Sequence, residues 1–259
     1  MRVRETKVIV DIGSDTIKVV EGAVNQRNFS ISRIGVVKNP VANFRLGPVP
    51  EEQEVFISFL RDYLNRLNIR SRAGVSSVAG SEVLIHYFDI PEVPPEEVES
   101  MVEVELSEVF PQGWSSLEYD FQILPSSERK TVLLAGYPRS RCNFLMQVFS
   151  QCGLRLVILD LDSLALANLY SFTAQENGGS GLVINVGARL TNMALVEKGG
   201  FVLARDIAFG GQQVTEAISR RYQCPLSEAE KVKQKPDQAA AVSQIIREIS
   251  ADMTSEVNT

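Results

Sequence analysis

Val8-Ile-Val-Asp-Ile-Gly-Ser-Asp-Thr-Ile-Lys-Val-Val-Glu-Gly22 returns, in pattern, as Leu182-Val-Ile-Asn-Val-Gly-Ala-Arg-Leu-Thr-Asn-Met-Ala-Leu-Val-Glu197. Each copy is an apolar strand, then Asp or Asn, one apolar residue, a glycine, a polar turn and a second apolar strand. The distance from Asp11 to Asn185 is too long for a solenoid repeat and suits a protein of two similar lobes. Either copy alone also reads as an ordinary strand ending in a turn, because turn residues are common. Two copies, each opening a three-strand meander, point to a phosphate site. A glycine at a hairpin tip lets backbone N–H groups approach an anion, and positive φ costs it little. The hydroxyls of Ser14 and Thr16 can donate to phosphate oxygens, and Lys18 can neutralise them. Asp11 can hold magnesium through water, because magnesium gives up its hydration shell reluctantly. Two such hairpins facing one another would clamp a nucleoside triphosphate.

Outward from the first copy, residues 29–37 complete a meander. A helical stripe follows at Phe56, Phe59, Leu60, Tyr63, Leu64 and Leu67, introduced by Pro50. Strands are predicted at residues 74–79 and 83–88. Pro94-Pro-Glu-Glu97 then starts a helix, with proline in the first turn and acids at the positive end of the dipole. Its glutamates, among them Glu96, Glu99, Glu103 and Glu108, read as the wet face of an amphipathic helix. Strands at 118–124 and 131–136, a helix at 139–152 stopped by Gly153, a strand at 155–160 and a helix at 163–173 lead to a glycine-rich linker, Asn177-Gly-Gly-Ser-Gly181. The second copy opens strands at 182–187, 191–197 and 201–207. Helices are predicted near 212–222, 227–233 and 238–252. Alternating sheet and helix segments make the chain α/β or α+β.

Composition narrows the function. The chain has 259 residues, 44% of them hydrophobic and 22% charged, a length that suits one bilobed domain or two domains. A net charge of −6 and a pI near 5.1 offer no basic field for nucleic acid. Three cysteines, Cys142, Cys152 and Cys224, lack C-x-x-C spacing, and His86 is the single histidine, so no zinc cluster is expected. The thiols read as reduced and buried. Residues 1–7 are charged and run into a strand, which does not read as a signal peptide. The apolar stretch 154–172 is interrupted by Arg155, Asp160 and Asp162, so membrane work is expected to pass through a partner.

The two hairpins resemble those of the actin, heat-shock chaperone and FtsA superfamily. Within it the chain is most similar to the PilM-type family of type IV pilus assembly factors. The matching stretches are Asp11-Ile-Gly-Ser, Asp89-Ile-Pro-Glu-Val-Pro-Pro-Glu-Glu97, Gly153-Leu-Arg-Leu-Val-Ile-Leu-Asp160, Arg205-Asp-Ile-Ala-Phe-Gly-Gly-Gln-Gln-Val-Thr-Glu-Ala-Ile218 and Ala229-Glu-Lys-Val-Lys233. The resemblance implies an actin-like, ribonuclease H-like two-lobed fold. Residues 1–176 would be a first lobe with an FtsA/PilM-type inserted subdomain at 83–153, and residues 177–259 an incomplete second lobe.

The resemblance also implies ATP and magnesium as cofactors. Asp11, Gly13, Ser14, Thr16 and Lys18 would form the first phosphate hairpin, with magnesium held by Asp11 through water. Asn185, Gly187 and Ala188 would form the second, and Gly210 and Gly211 would also line the nucleotide site. Glu230 and Lys233 would reach ribose and base; their i, i+3 spacing shares a helix face, and they equally read as a solvated ion pair. Asp162 falls where relatives carry a catalytic acid, and it equally reads as a helix N-cap beside Ser163. Asn185 stands where an aspartate is usual, so hydrolysis is expected to be slow or absent. No glycine-rich adenine-binding motif follows Lys233, and the family normally runs on beyond Thr259 to finish both lobes, so the chain is expected to be truncated or a degenerate form.

The implied role is a cytoplasmic scaffold, peripheral to the inner membrane. Its partner would be the N-terminal segment of a PilN-type inner-membrane protein, with the pilus motor ATPases reached indirectly. Docking is expected in a groove between the 1–79 core and the 83–153 insert, on apolar anchors and with weak salt dependence. The alternatives are an active actin-fold ATPase or sugar kinase, the cytoplasmic region of a type II secretion GspL protein, and FtsA itself.

Overall fold

In the computed structural model, which describes residues 6–24, 28–41, 49–111, 113–124, 130–173, 179–197, 200–235 and 239–257, the opening stretch folds as the expected meander. β1 (Lys7–Ile12) pairs antiparallel with β2 (Thr16–Val24), and β2 with β3 (Phe29–Lys38). Residues 1–5, Asn177, Gly178 and Gln238 lie outside the described residues. Alternation sends Val8, Val10, Ile12, Ile17 and Val19 to one face, where all are buried. Two parallel strands, β4 (Ala73–Val78) and β8 (Arg155–Leu161), extend the sheet to the order β3-β2-β1-β4-β8.

Two helices cover the buried face. α1 (Pro50–Arg66) contributes Phe56, Ile57, Leu60 and Leu64, and α3 (Arg139–Gln151) contributes Cys142, Leu145, Val148 and Phe149 to the same core. Gly74 in β4 makes this packing possible: a Cβ there would lie 2.6 Å from the Phe149 ring. Gly153, at φ +76°, ends α3 as the sequence implies.

A separate antiparallel sheet has the order β5-β7-β6, from β5 (Leu84–Ile90), β6 (Leu117–Leu124) and β7 (Lys130–Pro138). α2 (Pro95–Val109) buries Val98, Val102 and Leu106 with Ile90, Leu117, Val132 and Leu134 of that sheet. α4 (Asp162–Thr173) follows β8 directly. The third sheet, β11-β10-β9, consists of β9 (Gly181–Val186), β10 (Thr191–Glu197) and β11 (Gly200–Ile207). α5 (Gly211–Tyr222), α6 (Leu226–Lys233) and α7 (Ala239–Val257) share a core of Val214, Ile218, Ala229, Val242 and Ile245.

The chain divides into two compact units, Met1–Ile184 with Asn192–Asp206, and Asn185–Thr191 with Ile207–Thr259. Cys142 and Cys152 are buried as expected, with burial pushing the Cys152 thiol up to about 11, whereas Cys224 is only half-buried.

Candidate functional site

The first hairpin turns at Gly13-Ser14-Asp15-Thr16, closed by the Gly13 N–H donating to the Thr16 carbonyl at 3.0 Å. Asp11 and Lys18 sit opposite each other in register, and the Lys18 ammonium donates to the Asp11 carboxylate at 2.7 Å. Asp15 pairs with Lys38. Asn39 fastens the tip from outside: its side-chain amide donates to the Gly13 carbonyl at 2.8 Å, and its own N–H to the Asp15 carbonyl at 2.8 Å. Asn39 was not singled out in the sequence. Its position just after β3 and before Pro40 is its one local signal.

The second hairpin repeats this geometry. Gly187 N–H donates to the Leu190 carbonyl at 2.9 Å, and a Cβ on Gly187 would meet that oxygen at 2.8 Å, against 2.7 Å for Gly13 and Thr16. Neither glycine has positive φ. The expectation based on left-handed backbone is therefore corrected: glycine is needed because the strands approach too closely for any Cβ.

Within the second unit the hairpin is bonded to a helix start. Gly211 N–H donates to the Gly187 carbonyl at 2.9 Å, and Gln212 N–H to that of Ala188 at 2.7 Å. Two of the four orphan amides of α5 are thus satisfied by the hairpin. A Cβ on Gly210 would lie 2.6 Å from backbone atoms of Gly187 and Ala188. The side chain of Arg189 donates to Gln212 at 2.7 Å, locking the same junction.

Glu230 and Lys233 form the i, i+3 pair at 2.7 Å. Their contacts run inward to α5: Lys233 Nζ donates to the Gly211 carbonyl at 3.1 Å and to Thr215 Oγ1 at 2.9 Å, and the Thr215 hydroxyl lies 2.6 Å from Glu230. Burial tends to raise the Glu230 carboxyl, but the bonds from Lys233, Thr215 and Gln234 outweigh it and hold it below the usual range. The second unit therefore brings together Gly187, Ala188, Gly210, Gly211, Glu230 and Lys233, with Asn185 two residues before Gly187 in β9. Asp11, Gly13, Ser14, Thr16 and Lys18 share the hairpin of the first.

Asp162 occupies the first position of α4. Two residues earlier, Asp160 is half-buried near the end of β8. Burial raises its carboxyl; the Leu161 N–H, donating at 2.8 Å, opposes this, and the charge of Asp162 adds to it. Asp160 borders a groove of about 260 Å³ on the first unit. One side comes from β4, β8 and α4 through Val78, Leu161 and Leu164; the other from β6 and β7 through Glu118, Asp120, Ala135 and Tyr137. Glu118 faces Tyr137 and Asp120 faces Ala135 in the ladder, so these four share the sheet face that alternates away from α2.

Three ties fix the neighbouring β11. The Ala204 N–H donates to the Tyr87 hydroxyl at 3.2 Å. Asp206 accepts from the Gly80 N–H at 2.8 Å and from the Asn192 amide at 2.7 Å. Burial pushes the Tyr87 hydroxyl up to about 12. None of these was assigned a role in the sequence, because each depends on pairs more than a dozen residues apart.

The family described as Type IV pilus assembly protein PilM matches residues 9–258. Among solved structures, a PilM-PilN type IV pilus biogenesis complex is similar at a TM-score of 0.81 and 23% identity, covering 99% of this chain and 76% of that one. Ethanolamine utilization protein EutJ of Carboxydothermus hydrogenoformans is similar at 0.54 and 17%, covering 97% of this chain and 70% of that one. The cytoplasmic domain of EpsL, an inner-membrane component of the type II secretion system of Vibrio cholerae, follows at 0.52 and 14%, covering 83% and 75%. Cell division protein FtsA of Staphylococcus epidermidis is 22% identical over 254 residues, which is 87% of this chain and 53% of that protein. The chain spans about half the length of the curated relatives it matches. The fold is the actin-like one, as the paired hairpins imply.

Proposed function

This chain belongs to the family of the type IV pilus assembly protein PilM, and from that premise we propose that it is a nucleotide-binding scaffold that docks the N-terminal segment of a PilN-type inner-membrane protein. The observation that carries the reading is the family match along residues 9–258, joined to a likeness to a solved PilM-PilN complex. The groove beside Asp160 supports the reading, because it combines apolar anchors with the edge strands β6 and β8, which could seat an extended segment. No helix among the described residues is long and apolar enough to cross a membrane; the partner is the proposed route to the inner membrane and, through it, to the pilus motors.

Features of each hairpin, taken by itself, support nucleotide as the ligand. Gly13 and Gly187 keep the tips free of Cβ atoms, Lys18 and Thr16 supply a cation and a hydroxyl, and α5 begins beside the second tip. ATP with magnesium is the proposed ligand. Magnesium would be held by Asp11 through water, because the ion gives up its hydration shell reluctantly. Its chemistry would be to neutralise phosphate charge. Asn185 supplies no second anion, so slow hydrolysis or none is proposed.

The reading is tested by titrating a fluorescein-labelled peptide of the partner's N-terminus into the chain and following anisotropy. Saturable binding, lost when Leu164→Glu puts a charge on the groove wall, supports it. An absence of binding at high-micromolar concentration, with native circular dichroism, sinks it.

A further inference from the structure

We infer that the groove selects a segment carrying a lysine or arginine next to its apolar anchor, with Asp160 and Asp120 as the carboxylates that receive the cation. The inference rests on the docking reading above and names the chemistry of the occupant. Its starting point is a mismatch within the groove. The walls offer an apolar side chain good packing against Val78, Leu161, Leu164 and Tyr137, yet three carboxylates, Glu118, Asp120 and Asp160, share the same lining and no lysine or arginine does.

Only one of the three is neutralised. Glu118 has Arg139 at 3.2 Å. Asp120 and Asp160 make no ion pair among the described residues, and the bond to each comes from the backbone N–H of the following residue. Asp160 is the costly one. It is half-buried, and Asp162 adds a like charge beside it. A partly desolvated carboxylate without a counter-charge is expensive, and an incoming ammonium or guanidinium relieves that cost. The two unanswered carboxylates stand on different strands, β6 and β8, so a cation held by both would also pin the segment across the groove.

The occupant's side of the argument comes from membrane physics. Cytoplasmic segments close to membrane-spanning helices carry an excess of Lys and Arg. An acidic groove on the scaffold therefore matches what such a segment brings, and it disfavours acidic competitors. The expectation of weak salt dependence drawn from the sequence changes accordingly, because those charges lie in the groove lining as well as on the outer face of α2.

The test uses two labelled peptides of the partner's N-terminus, the natural one and one with every Lys and Arg replaced by Gln. Both are titrated into the unmodified chain and into Asp160→Asn, Asp120→Asn and, as a control on α2, Glu99→Gln. The natural peptide should lose about tenfold in affinity on Asp160→Asn and several-fold on Asp120→Asn, while the Gln peptide changes less than twofold and the control changes neither. Equal affinity of both peptides for the unmodified chain would overturn the charge selection and leave docking standing. So would equal losses of both peptides on Asp160→Asn, since that signals a deformed groove. If neither peptide binds the unmodified chain, the docking reading falls and this inference with it.

Discussion

Glu21 lies in β2 two residues after Val19, at a position where alternation calls for an apolar side chain, and it is 1% exposed. Its carboxylate accepts from the backbone N–H groups of Arg70 and Ser71 at 2.6 and 2.7 Å and from Ser32 at 3.1 Å, and it pairs with Arg33. Burial alone would raise its pKa, but those donors outweigh burial and hold it below the ordinary 4.5. A depressed carboxylate contributes stability that is fully present above its unfolded value and lost as pH falls through its folded value. Acid titration of unfolding should therefore show stability dropping below about pH 4.5, and Glu21→Gln should flatten that limb. At neutral pH Glu21→Ala should cost about 3 kcal/mol, because two backbone donors and Arg33 lose their partner. A pH-independent acid limb in the unmodified chain would refute this. Asn185→Asp is the second change at this scale. It should tighten binding of a fluorescent ATP analogue by about tenfold with magnesium present and not with EDTA. The same tightening in EDTA would place Asn185 away from the metal side.

Among the elements, the second hairpin and α5 meet in a close backbone junction. Two helix amides end on hairpin carbonyls, and Gly210 passes within 2.6 Å of them. Gly210→Ala must push the helix start off the hairpin, since backbone cannot yield as a side chain can; a loss of about 2 kcal/mol is expected. Hydrogen exchange reads it directly, because the Gly211 and Gln212 amides should exchange faster. Gly211→Ala is the contrast. Its Cβ would press on the flexible end of Lys233 at 3.3 Å and reach the Gly187 carbonyl at an ordinary 3.8 Å, so those amides should keep their protection. Similar exchange in both variants would mean that the close approach is not what holds the junction.

At the scale of the whole molecule, the first sheet has one face packed by α1 and α3 and another that, among the described residues, is only partly covered, by α4. Ile9, Ile31 and Ile158 on its strands, with Leu169 and Phe172 of α4, border an apolar hollow of about 600 Å³, and Ile31 and Leu169 are 52% and 55% exposed. Patches of this kind attract apolar ligands and other chains. The purified chain should bind an anilinonaphthalene dye and self-associate as concentration rises. Ile31→Lys combined with Leu169→Lys should reduce both by several-fold, as followed by fluorescence and sedimentation velocity. A dye-silent, monomeric unmodified chain would show that this face is closed in solution.

Element type and order followed from periodicity, because apolar alternation and the helical stripe are local properties: Val8, Val10 and Ile12 declare a strand, and Phe56, Leu60 and Leu64 a helix, whatever surrounds them. The repeated hairpin was legible for the same reason, since Gly13 and Gly187 sit at equal offsets from Asp11 and Asn185. What the sequence left open lies in contacts between distant segments. Glu21 reads as an oddity until Arg70 and Ser71 arrive beside it. Asn39 reads as a turn residue until it grips Gly13. Glu230 and Lys233 read equally as a surface pair until Thr215 and Gly211 take up their inner atoms. Asp160 reads as an interruption in an apolar run until β6 brings Asp120 into the same groove. Burial of a charge and the identity of its partner depend on which strands and helices meet, and only tertiary packing decides that.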